Sequence, residues 1–130
     1  MKYLIDTNML IYWMKNKSDS LQKLLLNEKE LAVSSITVAE LVYGAKKSQH
    51  VEKNMQAVIK ILSYFNILDF SKEDAFEYGD IRAYLEKRGT PIGDHDMQIA
   101  SQAKRLGLIV VTANIGEFNR IVNLHVENWK

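Results

Sequence analysis

The chain has 130 residues, of which 47% are hydrophobic, with one proline and no cysteine. That fits a single domain over residues 1–130 with its own core, and it rules out disulfides and thiolate metal sites. Lys and Arg number 17 against 16 Asp and Glu, a net charge of +1, too balanced to signal a nucleic-acid partner by charge alone. Small basic clusters (Lys15 and Lys17, Lys46 and Lys47, Lys87 and Arg88, Lys104 and Arg105) fall near the ends of predicted helices, where cations complement the helix dipole. The opening apolar run is too short for a signal peptide, and no stretch reaches the roughly 20 apolar residues of a membrane span. A cytoplasmic protein without a membrane segment is therefore expected.

Tyr3 to Ile5 reads as a buried strand that stops abruptly at Asp6-Thr7-Asn8, with Asn8 as N-cap of a helix through Leu10, Ile11 and Met14. Leu21, Leu24 and Leu25 recur at helical spacing. Leu31 to Ser34 reads as a second strand and Thr37 to Lys46 as a helix, with Val38, Leu41, Val42 and Ala45 on one face. Val51 to Tyr64 is a helix striped by Met55, Val58, Ile59 and Leu62. Asn66 to Leu68 is a short strand, and Ser71 to Arg88 a long helix ended by Gly89. Asp94 to Leu106 is a helix ended by Gly107. Leu108 to Thr112 is apolar without alternation, as in a strand covered on both faces, and Leu124 to Val126 adds an edge strand.

Strands alternating with helices predict an α/β sandwich, a mostly parallel central sheet flanked by helices. Such folds place their sites at the carboxyl ends of the strands. Asp6 lies past one strand end, and Thr112 and Asn114 past another. Asp6, Glu40, Asp96 and Asn114 stand out because their hard oxygens suit magnesium or manganese. Three carboxylates within about 4 Å of one another would repel by roughly 4 kcal/mol per pair at an effective dielectric near 20. A divalent cation or raised pKa values would have to relieve that.

Each residue also has a structural reading. Asp6 and Asn114 fit cap or turn positions. Glu40 fits a capping box with Thr37, and Asp74 fits the same box with Ser71. Asp96 fits the acid-favouring first turn of its helix. Asp94 reads as that helix's N-cap and His95 as an exposed neighbour, while His50 and His125 carry no signal. Spacing alone does not show that the acids converge.

The ordered segments resemble the VapC branch of the PIN-domain family nearly end to end. Tyr3-Leu4-Ile5-Asp6-Thr7-Asn8 is similar to the family's opening motif. Ser34 to Leu41, followed by Tyr43-Gly44, is similar to its second. Pro91-Ile92-Gly93 with Asp96 and Ile99-Ala100 resembles the third. Val110 to Asn114, Glu117-Phe118 and Glu127-Asn128-Trp129 resemble the closing segments. The resemblance implies a PIN-like three-layer sandwich in which Asp6, Glu40 and Asp96 bind the metal, with Asn114 where the family often has aspartate. It implies support from Thr7, Asn8 and Thr112. Asp94 stands where the family is commonly not acidic, either as a further ligand or as a cap.

The activity so implied is magnesium-dependent hydrolysis of RNA by an endoribonuclease toxin, with manganese as a substitute. A VapB-like antitoxin would hold it in check, and homodimers or larger complexes with antitoxin would form. Two other readings stand beside it: a phosphoacceptor domain using Asp6, and a catalytically inert PIN fold that only binds. The first lacks paired acids after the opening strand. The second sits poorly with an intact acid triad.

Overall fold

Leu4 and Ile5 are both fully buried although they are consecutive, which requires a strand with apolar packing on both faces. The computed structural model, which describes residues 2–15 and 30–130, supplies those faces. The predicted helix around Leu21, Leu24 and Leu25 lies outside the described residues, as does Lys17.

Strand β1 (Tyr3–Ile5) leads into α1 (Thr7–Lys15). Then follow β2 (Leu31–Ser34), α2 (Ser35–Lys46), α3 (Val51–Leu62) and β3 (Asn66–Leu68). Next come α4 (Lys72–Lys87), α5 (Asp94–Leu106), β4 (Ile109–Val111), the single turn α6 (Ile115–Phe118) and β5 (Val126–Glu127). The sheet runs β3-β2-β1-β4-β5, and every pairing is parallel. Leu4 faces Ala32 on one side and Val110 on the other, which centres β1.

The period of two divides the core. Ile5, Leu31, Val33 and Val111 pack with Met9, Leu10 and Trp13 of α1, Leu41 and Ala45 of α2, and Val58 and Ile61 of α3. Leu4, Ala32 and Val110 turn to the other face, against Ile81 and Leu85 of α4, Ile99, Ala100 and Ala103 of α5, and Phe118. This is the expected three-layer α/β sandwich.

Several local expectations shift. Helix α1 begins at Thr7, and the Asp6 carbonyl accepts from the amides of Met9 and Leu10 at 3.1 and 3.2 Å. Asp6, not Asn8, therefore holds the cap position, and Asn8 lies exposed in the first turn. Helix α2 starts two residues before Thr37, with the Ser34 hydroxyl accepting from the Ile36 amide at 3.1 Å. Helix α3 ends at Leu62 rather than Tyr64, and Ile59 is 63% exposed while Ile61 is buried. The N-cap of α5 is Gly93, so Asp94 is its first helical residue and not its cap. The clear strand is trimmed to Ile109–Val111, and the edge strand moves to Val126–Glu127.

Ser71 and Asp74 do form a complete capping box, and Asp74, fully buried, is also ion-paired with Arg105 on α5. Gly107 ends α5 in the left-handed region at φ 69°, a conformation that costs other residues a Cβ clash.

Candidate metal and nuclease site

Strand order reverses at β1: β2 and β3 extend one way, β4 and β5 the other. In an open parallel sheet the crevice at such a reversal, outside the carboxyl ends of the strands, is where ligands bind. Asp6 follows β1 directly and Thr112 follows β4 directly. The Asp6 amide donates to the Val111 carbonyl at 2.9 Å, which extends the ladder one residue into the crevice. The Thr112 hydroxyl then donates to Asp6 Oδ2 at 2.8 Å. Asp6 is 1% exposed and Thr112 fully buried, so this hydrogen bond fixes the carboxylate between the two central strands.

Glu40 comes from the second turn of α2. Since Ser34 caps that helix, Glu40 is not needed there and reaches across to its neighbours. Its Oε1 accepts from the Thr7 hydroxyl at 2.8 Å, and Thr7 and Thr37 place their hydroxyl oxygens 3.1 Å apart. Its Oε2 lies 2.8 Å from His95 Nδ1 on α5. Asp96, in the first turn of α5, lies beside Glu117 of α6. The Asn114 side-chain amide donates to Glu117 at 3.0 Å, and its backbone amide donates to the Thr112 hydroxyl at 2.9 Å.

The electrostatics follow. Burial pushes the Asp6 carboxyl up; bonds from Thr112 and the Thr7 amide oppose that rise, and the Glu40 charge adds to it. Asp96 is pushed up to about 7, first by burial, then by the Asp6 charge, by Glu117 and by Glu40. Among the described residues no lysine or arginine pairs with Asp6, Glu40, Asp96 or Glu117. The acids therefore repel one another with no lysine or arginine among the described residues to offset them.

Such a donor set suits a hard divalent cation, which takes carboxylate oxygens and would relieve the repulsion. As the side chains stand, no three acidic or imidazole groups among the described residues are gathered closely enough to enclose one ion. Glu40 meets Thr7 and His95, and Asp96 lies beside Glu117.

Asp6, Glu40 and Asp96 thus come into electrostatic reach of one another, with Thr7 and Thr112 holding two of them. Asn114 sits at the edge through Glu117. Asp94 does not join them: it accepts from the Tyr78 hydroxyl at 3.0 Å and lies 3.6 Å from Arg82. Two residues were missed by sequence reasoning. His95, expected as an exposed neighbour and indeed exposed, also bridges α5 to Glu40. Glu117, noted only as part of a motif, joins Asp96 to Asn114, and its place three residues after Asn114 at the start of a helical turn was the available signal.

The PIN-domain family model matches residues 3–124. The chain is 43% identical over 130 residues to a Haemophilus influenzae protein named Ribonuclease VapC2, covering 99% of this chain and 98% of that one. It is 41% identical, with the same coverage, to a Salmonella typhimurium protein named tRNA(fMet)-specific endonuclease VapC. Among solved structures, DNA-bound VapBC from Salmonella typhimurium matches with a TM-score of 0.97 at 40% identity, covering 100% of this chain and 99% of that one. VapBC2 from Rickettsia felis, bound to a fragment of promoter DNA, matches at 0.94 and 42%, with 100% of both chains covered. A family model spanning nearly the whole chain, the acids at the strand ends and these relatives agree, and the chain belongs to the VapC branch of the PIN-domain family.

Proposed function

We propose that the chain is the toxin of a VapBC-type pair, a magnesium-dependent endoribonuclease that a cognate VapB-like antitoxin restrains in the cytoplasm. The observation that carries this reading is the group of acids at the reversal of the parallel sheet, unneutralised by any lysine or arginine among the described residues.

Asp6, Glu40 and Asp96 would hold Mg2+, or Mn2+ in its place, and a bound cation would supply polarisation of the scissile phosphoryl group and a more acidic water. Thr112 and Thr7 keep Asp6 and Glu40 oriented throughout. Glu117, beside Asp96, is placed to take the proton of the attacking water. The new bond joins the water oxygen to phosphorus and the P–O3′ bond breaks. The products are a 5′-phosphate and a 3′-hydroxyl whose oxygen regains a proton. No side chain acts as nucleophile. Asn114 tunes Glu117 and contributes an uncharged oxygen at most.

The VapBC complexes among the similar structures support an antitoxin partner. A groove of about 450 Å3 runs from Glu40 along Ile11, Met14, Leu41, Ala45 and Val58, a shape suited to an apolar peptide that ends at the acids. The proposed assembly is a homodimer of toxins, joined into larger complexes with antitoxin.

The test is cleavage of a cellular tRNA pool, initiator tRNA included, by purified chain with Mg2+, with EDTA and with Asp96→Asn. Cleavage with Mg2+ is expected, and chelation or the substitution should lower it by roughly a hundredfold or more. Cleavage indifferent to both controls would overturn the assignment. A folded, antitoxin-free chain that cuts no RNA would leave the inert binding fold.

A further inference from the structure

We propose that His95 is a positioning residue for the metal-binding carboxylate of Glu40, acting through an Nδ1–H bond that ties α5 to α2. The inference rests on the nuclease reading above and adds a residue that the sequence motifs do not single out.

Little else holds Glu40. It lies in the middle of α2, the side chain remains 25% exposed, and no arginine or lysine among the described residues pairs with it. A glutamate carries three side-chain torsions, and an exposed one samples several rotamers. Thr7 fixes one oxygen at 2.8 Å. A single bond leaves the carboxylate free to pivot about that oxygen. His95 Nδ1, 2.8 Å from the other oxygen, removes the pivot. The two donors come from different helices, α1 and α5, so the carboxylate plane is set by the packing of the fold rather than by α2 alone. Each oxygen retains a second lone pair for a cation.

The bond also spans the site. His95 immediately precedes Asp96, so the helix that supplies one metal-binding acid also orients another. A cation would have to draw the acids closer together. A donor that keeps Glu40 close to one orientation lowers the ordering cost of that step, as outer hydrogen bonds to metal ligands generally do. Asp94 cannot substitute, since it is turned to Tyr78 and Arg82.

The experiment titrates Mn2+ alone into metal-free protein at one fixed pH, reading free Mn2+ by electron paramagnetic resonance. His95→Ala should bind about tenfold more weakly than wild type. His95→Asn, whose amide nitrogen can stand where Nδ1 stood, should restore most of the loss. At 59% side-chain exposure, neither substitution should disturb the fold, and thermal unfolding checks this. Binding by His95→Ala that equals or exceeds wild type would overturn the proposal, as would an asparagine variant no better than alanine. Asp96→Asn is the reference. If wild type binds and Asp96→Asn does not, an unchanged His95→Ala removes only His95 from the account. If wild type and Asp96→Asn behave alike, the metal-site reading falls and this inference with it. A metal-free readout is the long-range proton–nitrogen spectrum of the His95 ring in its neutral form: a proton on Nδ1 is expected, and one on Nε2 alone overturns the bond.

Discussion

Two stretches of the chain carry a hydroxyl residue followed three places later by an acid: Thr37 with Glu40, and Ser71 with Asp74. At Ser71 the pattern is a complete capping box, and Asp74 is buried against Arg105. At Thr37 it is not a cap, because Ser34 has already started the helix. Thr37 is buried beside Thr7, and Glu40 reaches to Thr7 and His95. Identical spacing thus produces one acid spent on its own helix and a cation, and another left at a crevice with other acids. What separates the two acids is the charge each meets, not its distance from a hydroxyl.

The sharpest way to break that contrast is to remove one acid from each region and measure urea unfolding without metal. Asp74→Ala leaves the half-buried Ser71 amide without its acceptor and should cost about 2 kcal/mol. Asp96→Asn, above neutral pH, should stabilise the metal-free chain, since it deletes a charge repelled by Asp6, Glu117 and Glu40. Equal losses at both positions would mean that the site acids are held as Asp74 is, and the distinction would collapse.

The same contrast has a pH signature of intermediate size. The Asp96 carboxyl is raised from 3.8 to about 7 in the folded chain. Between those values the folded state binds more protons than the unfolded one, so stability falls as pH rises through that window. Asp6, raised as well, acts in the same direction. The thermal midpoint of metal-free protein should therefore decline from acid to neutral pH, less steeply in Asp96→Asn, and saturating Mg2+ should reverse the decline. A midpoint that climbs over this range would show that the acids are already neutralised by something other than metal.

The smallest effect is expected at the edge of the site. Asn114→Asp replaces a donor to Glu117 with a like charge and should cost about 0.5 kcal/mol without metal, while strengthening Mg2+ binding. Calorimetry of both quantities in one preparation checks the pair. A variant that loses stability and gains no affinity would place Asn114 outside the metal's reach.

Much of the fold was legible because its signals are local. The apolar runs of β1, β2 and β4 announced strands, that of β4 as one covered on both faces, and Gly107 and the Ser71 box marked helix ends. The misplacements share a cause. Asn8, Thr37 and Asp94 are all plausible caps by residue type, and in each case a neighbour one or two positions earlier, or the serine that closes a strand, took the role. Ile59 fits the helical stripe of α3 as well as Ile61 does, and only the position of the sheet selects which one is buried.

The site divides in the same way. Asp6, Glu40 and Asp96 could be named from motifs, because the order of such segments along the chain is itself the pattern. Their surroundings could not. Thr112 lies 106 residues from Asp6, and the Glu40 to His95 contact joins helices separated by two others and a strand. By itself the sequence determined which segments become strands and helices, and which acids the family's motifs carry, since both are written in near-neighbour residues. Only the tertiary structure decided which acids face a cation and which face one another, because charge interactions depend on distance in space, and parallel crossovers bring together residues the chain keeps far apart.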